Sequence, residues 1–150
     1  MREILFRAKI KDTDEWVEGY YAMMGKENLI RHYIVQNCAL TGLFSDPEEN
    51  MYFNDVEIAP ETLCQYTGLN DKKGNRIWEN DVVSINTYSY VEPEEDYFGK
   101  VVYAEGWGCW CIQQPGEEKP IPLCECEGSY LTERVVEGNI FDNPELLKGE

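Results

Sequence analysis

Apolar and polar residues alternate along the first 35 positions in a way that predicts β-strands. Every second residue of ILFRAKI (residues 4–10) is apolar, which is the pattern of a half-buried strand. The polar run KDTDE (residues 11–15) separates it from WVEGYYAM (residues 16–23), so these two segments predict a hairpin. The β-branched and aromatic run LIRHYIV (residues 29–35) predicts a third strand.

The central segment YTGLNDKKGNRIWENDVV (residues 66–83) alternates between apolar runs and turn residues. The Asp, Gly and Asn of residues 70–75 predict a turn, because Asp accepts nearby backbone hydrogen bonds and Gly supplies a positive φ. Asn80 predicts a second turn, since Asn tolerates the left-handed conformation. We therefore expect short strands at residues 76–79 and 82–85, with the tryptophan of the first in a core.

The segment VEIAPETLCQY (residues 56–66) fits two local structures. Pro60 suits the first position of a helical turn, whereas an extended strand into residues 63–66 fits equally well. The pattern leaves both alternatives open.

The second half of the chain predicts further strands around a polar interruption. Residues 86–98 combine tyrosines with an acidic cluster around Pro93 and predict a loop or the tip of a mobile hairpin. A Pro-rich run at residues 113–122 predicts a connection between strands. The segments predicted to be extended are KVVY (100–103), CWCI (109–112) and LCECEGSYLTERVVEGNIF (123–141).

The segment NPELL at residues 143–147 predicts a helical turn ending near residue 148. Asn143 suits the N-cap, Pro144 the first helical position, and Glu145 the positive end of the turn. No long stretch has a helical period. The chain is therefore expected to be mainly β with minor helical turns, as a sandwich or small barrel rather than a doubly wound sheet.

The charge balance disfavours one class of ligand. The chain has 29 Asp and Glu against 13 Lys and Arg, a net charge of −16. Such a surface repels the phosphates that nonspecific nucleic-acid binding must neutralise. Nucleic acid is therefore an unexpected partner, although Lys72, Lys73 and Arg76 form a local basic group. A solubilising surface is the simplest interpretation of the acidity.

The expected location of the protein follows from the lack of a membrane-spanning run and of a secretion signal. No apolar run approaches the roughly 20 residues of a membrane helix, and the N-terminus lacks the features of a secretion signal. We expect a cytoplasmic protein that does not enter a membrane, and its six cysteines are expected to be thiols.

Four of these cysteines form two C-x-C pairs, Cys109 with Cys111 and Cys124 with Cys126. Each pair projects to one face of a strand. If the two strands were neighbours, four sulfurs would converge and could bind zinc. Structural zinc sites usually have C-x2-C or wider spacing, so packing of small apolar thiols is the favoured interpretation. No cofactor is otherwise implied.

His32 is the only histidine and lies in the predicted strand LIRHYIV. A half-exposed strand residue is the favoured interpretation, because catalysis would need a partner group beside it. Motifs for phosphate loops, dinucleotides, serine hydrolases and zinc peptidases are absent. We therefore expect no enzymatic activity. A deep pocket containing His32 would reverse that expectation.

Three ordered stretches resemble the YopX family of phage and prophage proteins. The opening MREILFRAKIKD is similar to that family's R-x-I-x-F-R-A run. The segment QYTGLNDKKGNRIWENDVV resembles its Q-[YF]-T-G-L segment, D-x-x-G turn and G-D-[IV]-V, with Asn80 at the usual glycine. The ending VVEGNIFDNPELL resembles its G-N-[IV]-[YF]-x-N-P-E-L-L pattern. The C-x-C pairs are not part of that pattern.

The resemblance implies a mostly β phage protein without an established biochemical function or catalytic residues. The turn into KVVY and the terminal G-N-I strand also resemble an SH3-like barrel. By that analogy, the chain is a single YopX-like unit (1–150). It comprises an N-terminal β subdomain (about 1–65) packed on a small SH3-like β-barrel (about 66–141), with a helical turn at 143–148.

The function expected from these observations is that of a non-enzymatic phage or prophage accessory protein. It would act in the cytoplasm of the bacterial host, by binding a protein partner or by self-association. One alternative is a nucleic-acid-binding SH3- or OB-like module that uses exposed aromatics with Lys72, Lys73 and Arg76. Another is an acidic mimic of DNA that occupies a host DNA-binding protein, which needs carboxylates contiguous on one face.

Overall fold

The computed structural model describes residues 2–36, 54–88, 90–91, 93–124 and 130–148. These residues are mainly β, in two antiparallel sheets, as the alternation of apolar positions predicts. The strands are β1 (Phe6–Lys9), β2 (Trp16–Lys26), β3 (Leu29–Gln36), β4 (Asn54–Glu57), β5 (Cys64–Asn70), β6 (Arg76–Trp78), β7 (Asp81–Tyr88), β8 (Glu95–Ala104), β9 (Cys109–Gln113), β10 (Ile121–Pro122) and β11 (Tyr130–Asn139).

The chain divides into two compact units, Met1–Gln65 and Tyr66–Glu150. In the first unit the antiparallel order is β4–β3–β2–β1, and the start of β5 pairs with β1. The core of this unit consists of Ala8, Val17, Ile34 and Ile58. Ala8 lies opposite Val17, so the predicted hairpin of residues 4–23 places one apolar face inward.

The second unit contains a five-stranded antiparallel sheet in the order β10–β9–β8–β7–β11. The later part of β5 pairs with β6 in the same unit. The core residues are Ile77, Val83, Ile85, Val101, Trp110, Ile112 and Leu123. Among the described residues, no pairing joins β10 to β11, so the SH3-like barrel expected at 66–141 stays a prediction.

The central segment forms the strands and turns that its sequence predicts. The Asp71 carboxylate accepts hydrogen bonds from the N–H groups of Lys73 and Asn75, at 2.9 and 2.8 Å. Asn80 has a φ of 67°, in the left-handed region. Asp81, which is buried, accepts the N–H of Trp78 at 2.8 Å and closes the second turn.

Both proline-led turns are present as 3₁₀ helices, Pro60–Thr62 and Pro144–Leu147. At the first, the two alternatives occur in succession, because the turn is followed directly by β5. Asn143 occupies the predicted N-cap position, but its side chain makes no capping bond, and its Oδ1 instead accepts the N–H of Asn139.

Residues 86–88 and 95–98 belong to the arms of a hairpin, which is one of the two alternatives that the sequence predicts here. Strand β7 continues to Tyr88 and β8 begins at Glu95, with Thr87 opposite Glu95 and Ile85 opposite Tyr97. Backbone hydrogen bonds between β7 and β8 stabilise both strands, even though many of their side chains are polar. Among the described residues, no helix is long and apolar enough to pass through a bilayer.

Candidate functional site

The distal end of the β2–β3 hairpin carries a group of exposed apolar side chains. The last two pairs before the turn are Gly25 with Ile30 and Lys26 with Leu29. The exposed apolar residues, here called the hairpin surface, are Tyr20, Met23, Met24, Leu29 and Ile30. Leu29 is 73% exposed. Scattered apolar residues are normal on a protein surface, but a concentration of large ones on a single hairpin indicates a site of interaction.

The hairpin surface covers both faces of the hairpin. Met23 lies opposite His32, and Met24 lies opposite Arg31. Because successive side chains point to opposite faces, Met23 shares its face with Tyr21, which packs against the first unit's core. Met24 lies on the other face. The core reaches only the base of the hairpin, and the apolar residues continue beyond it.

The tip of the hairpin depends on two residues with positive φ. Gly25 has a φ of +152°, and a Cβ there would lie 1.9 Å from the carbonyl oxygen of Leu29. Glu27 has a φ of 47°, in a region that favours glycine. This backbone brings Leu29 and Ile30 beside the end of β2.

The hairpin surface lies in a locally cationic part of an acidic chain. Between positions 20 and 35 the charged residues are Lys26, Glu27 and Arg31, a net charge of +1 with His32 neutral, against −16 for the whole chain. Lys26 lies opposite Leu29 and Arg31 opposite Met24. The positive charges therefore border the apolar side chains directly.

An open groove of about 650 Å³ lies in the first unit beside the hairpin. Ile30, Arg31 and His32 of β3 line it. It is completed by Lys9, Lys11, Asp12, Thr13, Asp14, Glu57, Ile58, Ala59, Pro60, Glu61 and Thr62. Two ion pairs cross its lining, each at 3.4 Å: Lys9 with Asp14 and Lys11 with Glu57. The groove therefore has mixed charge.

His32 lies on β3 and is half-buried. Its Nδ1 is 2.6 Å from the Tyr21 hydroxyl, and the two rings are stacked with centroids 5.9 Å apart. These contacts hold the imidazole against its cross-strand neighbours. The groove brings His32 near carboxylates, but its contacts are those of a packed strand residue.

The cysteines considered as possible zinc ligands are partly brought together. Cys109 and Cys111 lie on β9, and Cys124 follows β10, which is the neighbour of β9. The Sγ atoms of Cys109 and Cys111 are 3.7 Å apart. Cys126 lies outside the described residues. No three described His, Cys, Asp or Glu side chains are arranged as a metal site.

The basic residues named for nucleic-acid binding are largely engaged within the second unit. Lys72 forms an ion pair with Glu133 at 2.6 Å. The Arg76 guanidinium lies over the Tyr66 ring at 5.4 Å. Lys73 is exposed. These contacts leave little of a continuous cationic surface at residues 72–76.

The second unit also exposes apolar residues near the acidic segment at 92–96. Val91 is 93% and Tyr90 87% exposed. Residues 94–96 are also exposed. Residue 92 lies outside the described part of the chain. Unlike the hairpin surface, this region places its apolar side chains beside negative charges.

Sequence reasoning missed the hairpin surface. The alternation in WVEGYYAM and LIRHYIV predicts strands but does not reveal which of their side chains a core covers. The available signal was that both alternating faces are apolar near the turn. In a two-stranded hairpin, at least one such face lacks a covering layer.

Comparison with known proteins gives a family and similar solved structures. A family model described as YopX protein matches residues 5–148. No curated protein matches the chain. A crystal structure of protein EF1440 from Enterococcus faecalis is similar, with a TM-score of 0.46 and 19% sequence identity. The similarity covers 98% of this chain and 99% of that chain.

Proposed function

The chain belongs to the YopX protein family, and from this premise we propose that it binds a protein partner through the hairpin surface. The proposal is of a non-enzymatic phage or prophage accessory protein. It acts in the cytoplasm of the bacterial host. The observation that carries the binding proposal is the group of five exposed apolar side chains on one hairpin, four of them near its turn.

The energetic argument follows from the exposure of these side chains. Met23 is 61% and Ile30 55% exposed in the isolated chain. Fully burying a side chain of this size contributes about 1.5–3 kcal/mol. A few such residues at the centre of an interface commonly supply most of its binding energy. The hairpin surface is large enough for such a centre.

The expected partner presents an apolar patch with acidic groups at its rim. Lys26 and Arg31 border the hairpin surface, and opposite charges at a rim favour encounter and register. A second copy is a less suitable partner, because two chains of net charge −16 repel each other. Self-association is therefore an outcome that the experiment must distinguish.

We also propose that residues 66–141 form an SH3-like barrel. Its support is the turn around Asn80 followed by β7 and β8, the order of elements at the entry of such barrels. Fold resemblance of this kind does not assign a function. An experimental structure with backbone pairing between the outer strands β10 and β11 would establish closure.

The binding proposal is tested by capture with matched variants. Tagged full-length protein and the double variant Met24→Ser with Leu29→Ser are used to capture proteins from bacterial lysate. The captured protein is then purified and titrated directly. We expect the double variant to bind at least about tenfold more weakly, since tenfold corresponds to only 1.4 kcal/mol.

The control is Ile4→Ser, because Ile4 is 54% exposed, close to the 55% of Ile30, and lies outside the hairpin. Binding should survive this change. Equal binding by the hairpin double variant would overturn the proposal. Sedimentation of the chain alone reports self-association. If the wild-type chain forms a dimer and the double variant is a monomer, the partner is a second copy of the chain.

Different experiments test the two alternatives that involve nucleic acid, the nucleic-acid-binding module and the acidic mimic of DNA. Labelled DNA and RNA are titrated at low salt and followed by fluorescence anisotropy. Binding that is lost on changing Lys73 would support a nucleic-acid module. The acidic mimic would be supported by capture of a DNA-binding protein that dissociates as salt rises and that binds the hairpin variants as tightly as wild type.

A further inference from the structure

Strand β3 extends beyond its outer neighbour, β4. The last pair between the two strands is Tyr33 with Glu57, where β4 ends. One further bond follows, from the N–H of Ile58 to the carbonyl of His32, at 3.0 Å. Residues 29–31 continue β3 past this bond and are exposed. Among the described parts of the chain, no strand lies along the outer edge of these three residues.

The backbone of Ile30 points toward this uncovered edge. In a strand, the N–H and C=O of one residue point to the same side, and those of every second residue agree. The His32 carbonyl points toward the side of β4, so the N–H and C=O of Ile30, two residues earlier, do so too. No described backbone group bonds to Ile30 on that side. Such an edge is a template for pairing with another chain.

The sequence after β4 explains why the chain itself leaves this edge uncovered. Continued beyond Ile58, the antiparallel register would place residue 60 opposite Ile30. Residue 60 is a proline, which has no N–H to donate, and it begins the 3₁₀ helix Pro60–Thr62. The N–H of Ala59 donates instead to the carbonyl of Lys9 at 2.9 Å. The chain therefore leaves β3 for β1.

The open groove of about 650 Å³ lies along the same edge, since Ile30, Arg31 and His32 line it. The two lysines of the lining are already paired with Asp14 and Glu57. Arg31 is exposed and, among the described residues, forms no ion pair. A carboxylate on a strand added here would therefore gain a cationic cross-strand partner in Arg31.

We infer that the uncovered edge of β3 binds an extended segment of the protein partner as an added antiparallel strand. This inference rests on the proposed function, because Leu29 and Ile30 belong to the hairpin surface. From its N-terminus, the segment carries an acidic residue opposite Arg31 and then apolar residues opposite Ile30 and Leu29. Main-chain hydrogen bonds to Ile30 hold the strand, and the side chains select its sequence. Because Asp12 and Glu61 also line the groove, an acid is favoured opposite Arg31 and not along the whole segment.

The backbone pairing is tested with isotope-labelled full-length protein and a short blocked peptide. The peptide has a glutamate followed by two valines, and its other residues are threonine. We expect saturable changes in the nuclear magnetic resonance signals of the Ile30 and His32 amides. N-methylation of the first valine should weaken binding at least about tenfold, because it removes the N–H that donates to Ile30. N-methylation of the second valine is the matched control and should be tolerated, since that N–H faces away from β3.

The side-chain selection is tested by charge reversal. Arg31→Glu should weaken binding of the glutamate peptide at least about fivefold, and it should favour a peptide with lysine in place of the glutamate. The control is Lys73→Glu, because Lys73 is exposed in the second unit and the change in charge is the same. This control should leave the binding of both peptides unaltered. Because Arg31 is exposed, its variant is expected to fold.

Two results would overturn the inference. One is the absence of signal changes at Ile30 when the glutamate peptide is added to the wild-type chain. The other is equal binding of the two N-methylated peptides, which would show that backbone pairing with Ile30 does not hold the segment.

Failure of this inference is distinguishable from failure of the proposed function. Partner capture that requires Met24 and Leu29, with no signal change at Ile30, would overturn the added strand and leave the proposed function intact. Peptide binding at Ile30 in a chain whose captured partners ignore the hairpin double variant would contradict the proposed function alone.

Discussion

The carboxylate of Asp71 accepts a hydrogen bond from the backbone N–H of Val136 at 3.2 Å, although 65 residues separate them. The same carboxylate accepts the backbone and side-chain N–H groups of Asn75. Beside it, the N–H of Lys72 donates to the carbonyl of Arg134 at 3.0 Å. One side chain thus joins the D-x-x-G turn to β11.

Replacement of this carboxylate should destabilise the second unit. Asp71→Asn keeps the size of the side chain but loses the charge and one acceptor oxygen. Because leaving a buried donor unpaired costs about 1–3 kcal/mol, we expect the free energy of unfolding to fall by that amount. Urea unfolding at pH 7 measures it. Glu94→Gln, at an exposed position, is the matched control and should change stability little.

The effect of Asp71→Asn should depend on pH. Burial raises the pKa of Asp71. The hydrogen bonds from Asn75, Val136 and Lys73 together lower it by more than burial raises it, so the pKa lies below its usual 3.8. The folded pKa is thus below the unfolded one. The ionised group therefore stabilises the fold above about pH 4 and loses this effect as pH falls through the folded pKa.

Unfolding of wild type and Asp71→Asn at pH 7 and at successively lower pH checks this dependence. The difference in their free energies of unfolding should be full at pH 7 and shrink below about pH 4. A difference that stays constant into acid would show that the charge of Asp71 does not contribute.

Glu79 should show the opposite dependence on pH. Burial raises its pKa, and the positive charge of Lys100 offsets this only in part. Since the folded pKa is above the unfolded value, ionisation destabilises the fold as pH rises through the folded pKa. Glu79→Gln should therefore be more stable than wild type at pH 7 and similar to it in acid. Thermal unfolding at both pH values is the measurement.

The left-handed backbone at Asn80 should tolerate glycine but not alanine. Asn80 has a φ of 67°, and its backbone bonds to Val101 and Ile140 hold it there. Asn80→Ala should lower the free energy of unfolding by about 1 kcal/mol, the cost of this conformation for a side chain with a Cβ. Asn80→Gly should change it by less than about 0.5 kcal/mol. Equal effects in urea unfolding would contradict this.

Gly25 should be required for the hairpin surface. Alanine there would bring a Cβ to 1.9 Å from the Leu29 carbonyl oxygen, so the end of the hairpin must rearrange. We expect Gly25→Ala to weaken partner capture at least about tenfold, because the register of Leu29 and Ile30 is lost. Nuclear magnetic resonance should show amide shifts confined to the hairpin. Unaltered capture would show that the hairpin's geometry does not matter.

The sequence predicts the local elements well where turn chemistry and alternation agree. The strands and turns of residues 66–83 are predicted, because Asp71 and Asn80 have distinctive backbone preferences. The N-cap position of Asn143 is predicted too, but its side chain accepts the N–H of Asn139 instead of capping the turn. Residues 86–88 and 95–98 form strands because the pairing of β7 with β8 outweighs their polar composition.

The candidate sites are less predictable, since they depend on neighbours distant in sequence. Whether Met23 and Leu29 are covered depends on how far a core extends, which alternation does not reveal. Whether the cysteines of β9 and Cys124 approach each other depends on the course of the chain beyond β10, which the spacing of the C-x-C pairs does not establish. The sequence thus predicts the strands more securely than the surfaces they present.

The pairing of β11 with β7 has a consequence for synthesis on the ribosome. The first unit's described strands are available once residue 65 has emerged. In the second unit, Asn139 lies opposite Asp81 and Val136 opposite Val83, so β7 lacks one neighbour until the late strand leaves the exit tunnel. During this interval the unpaired edge of β7 is open to pairing with another nascent chain.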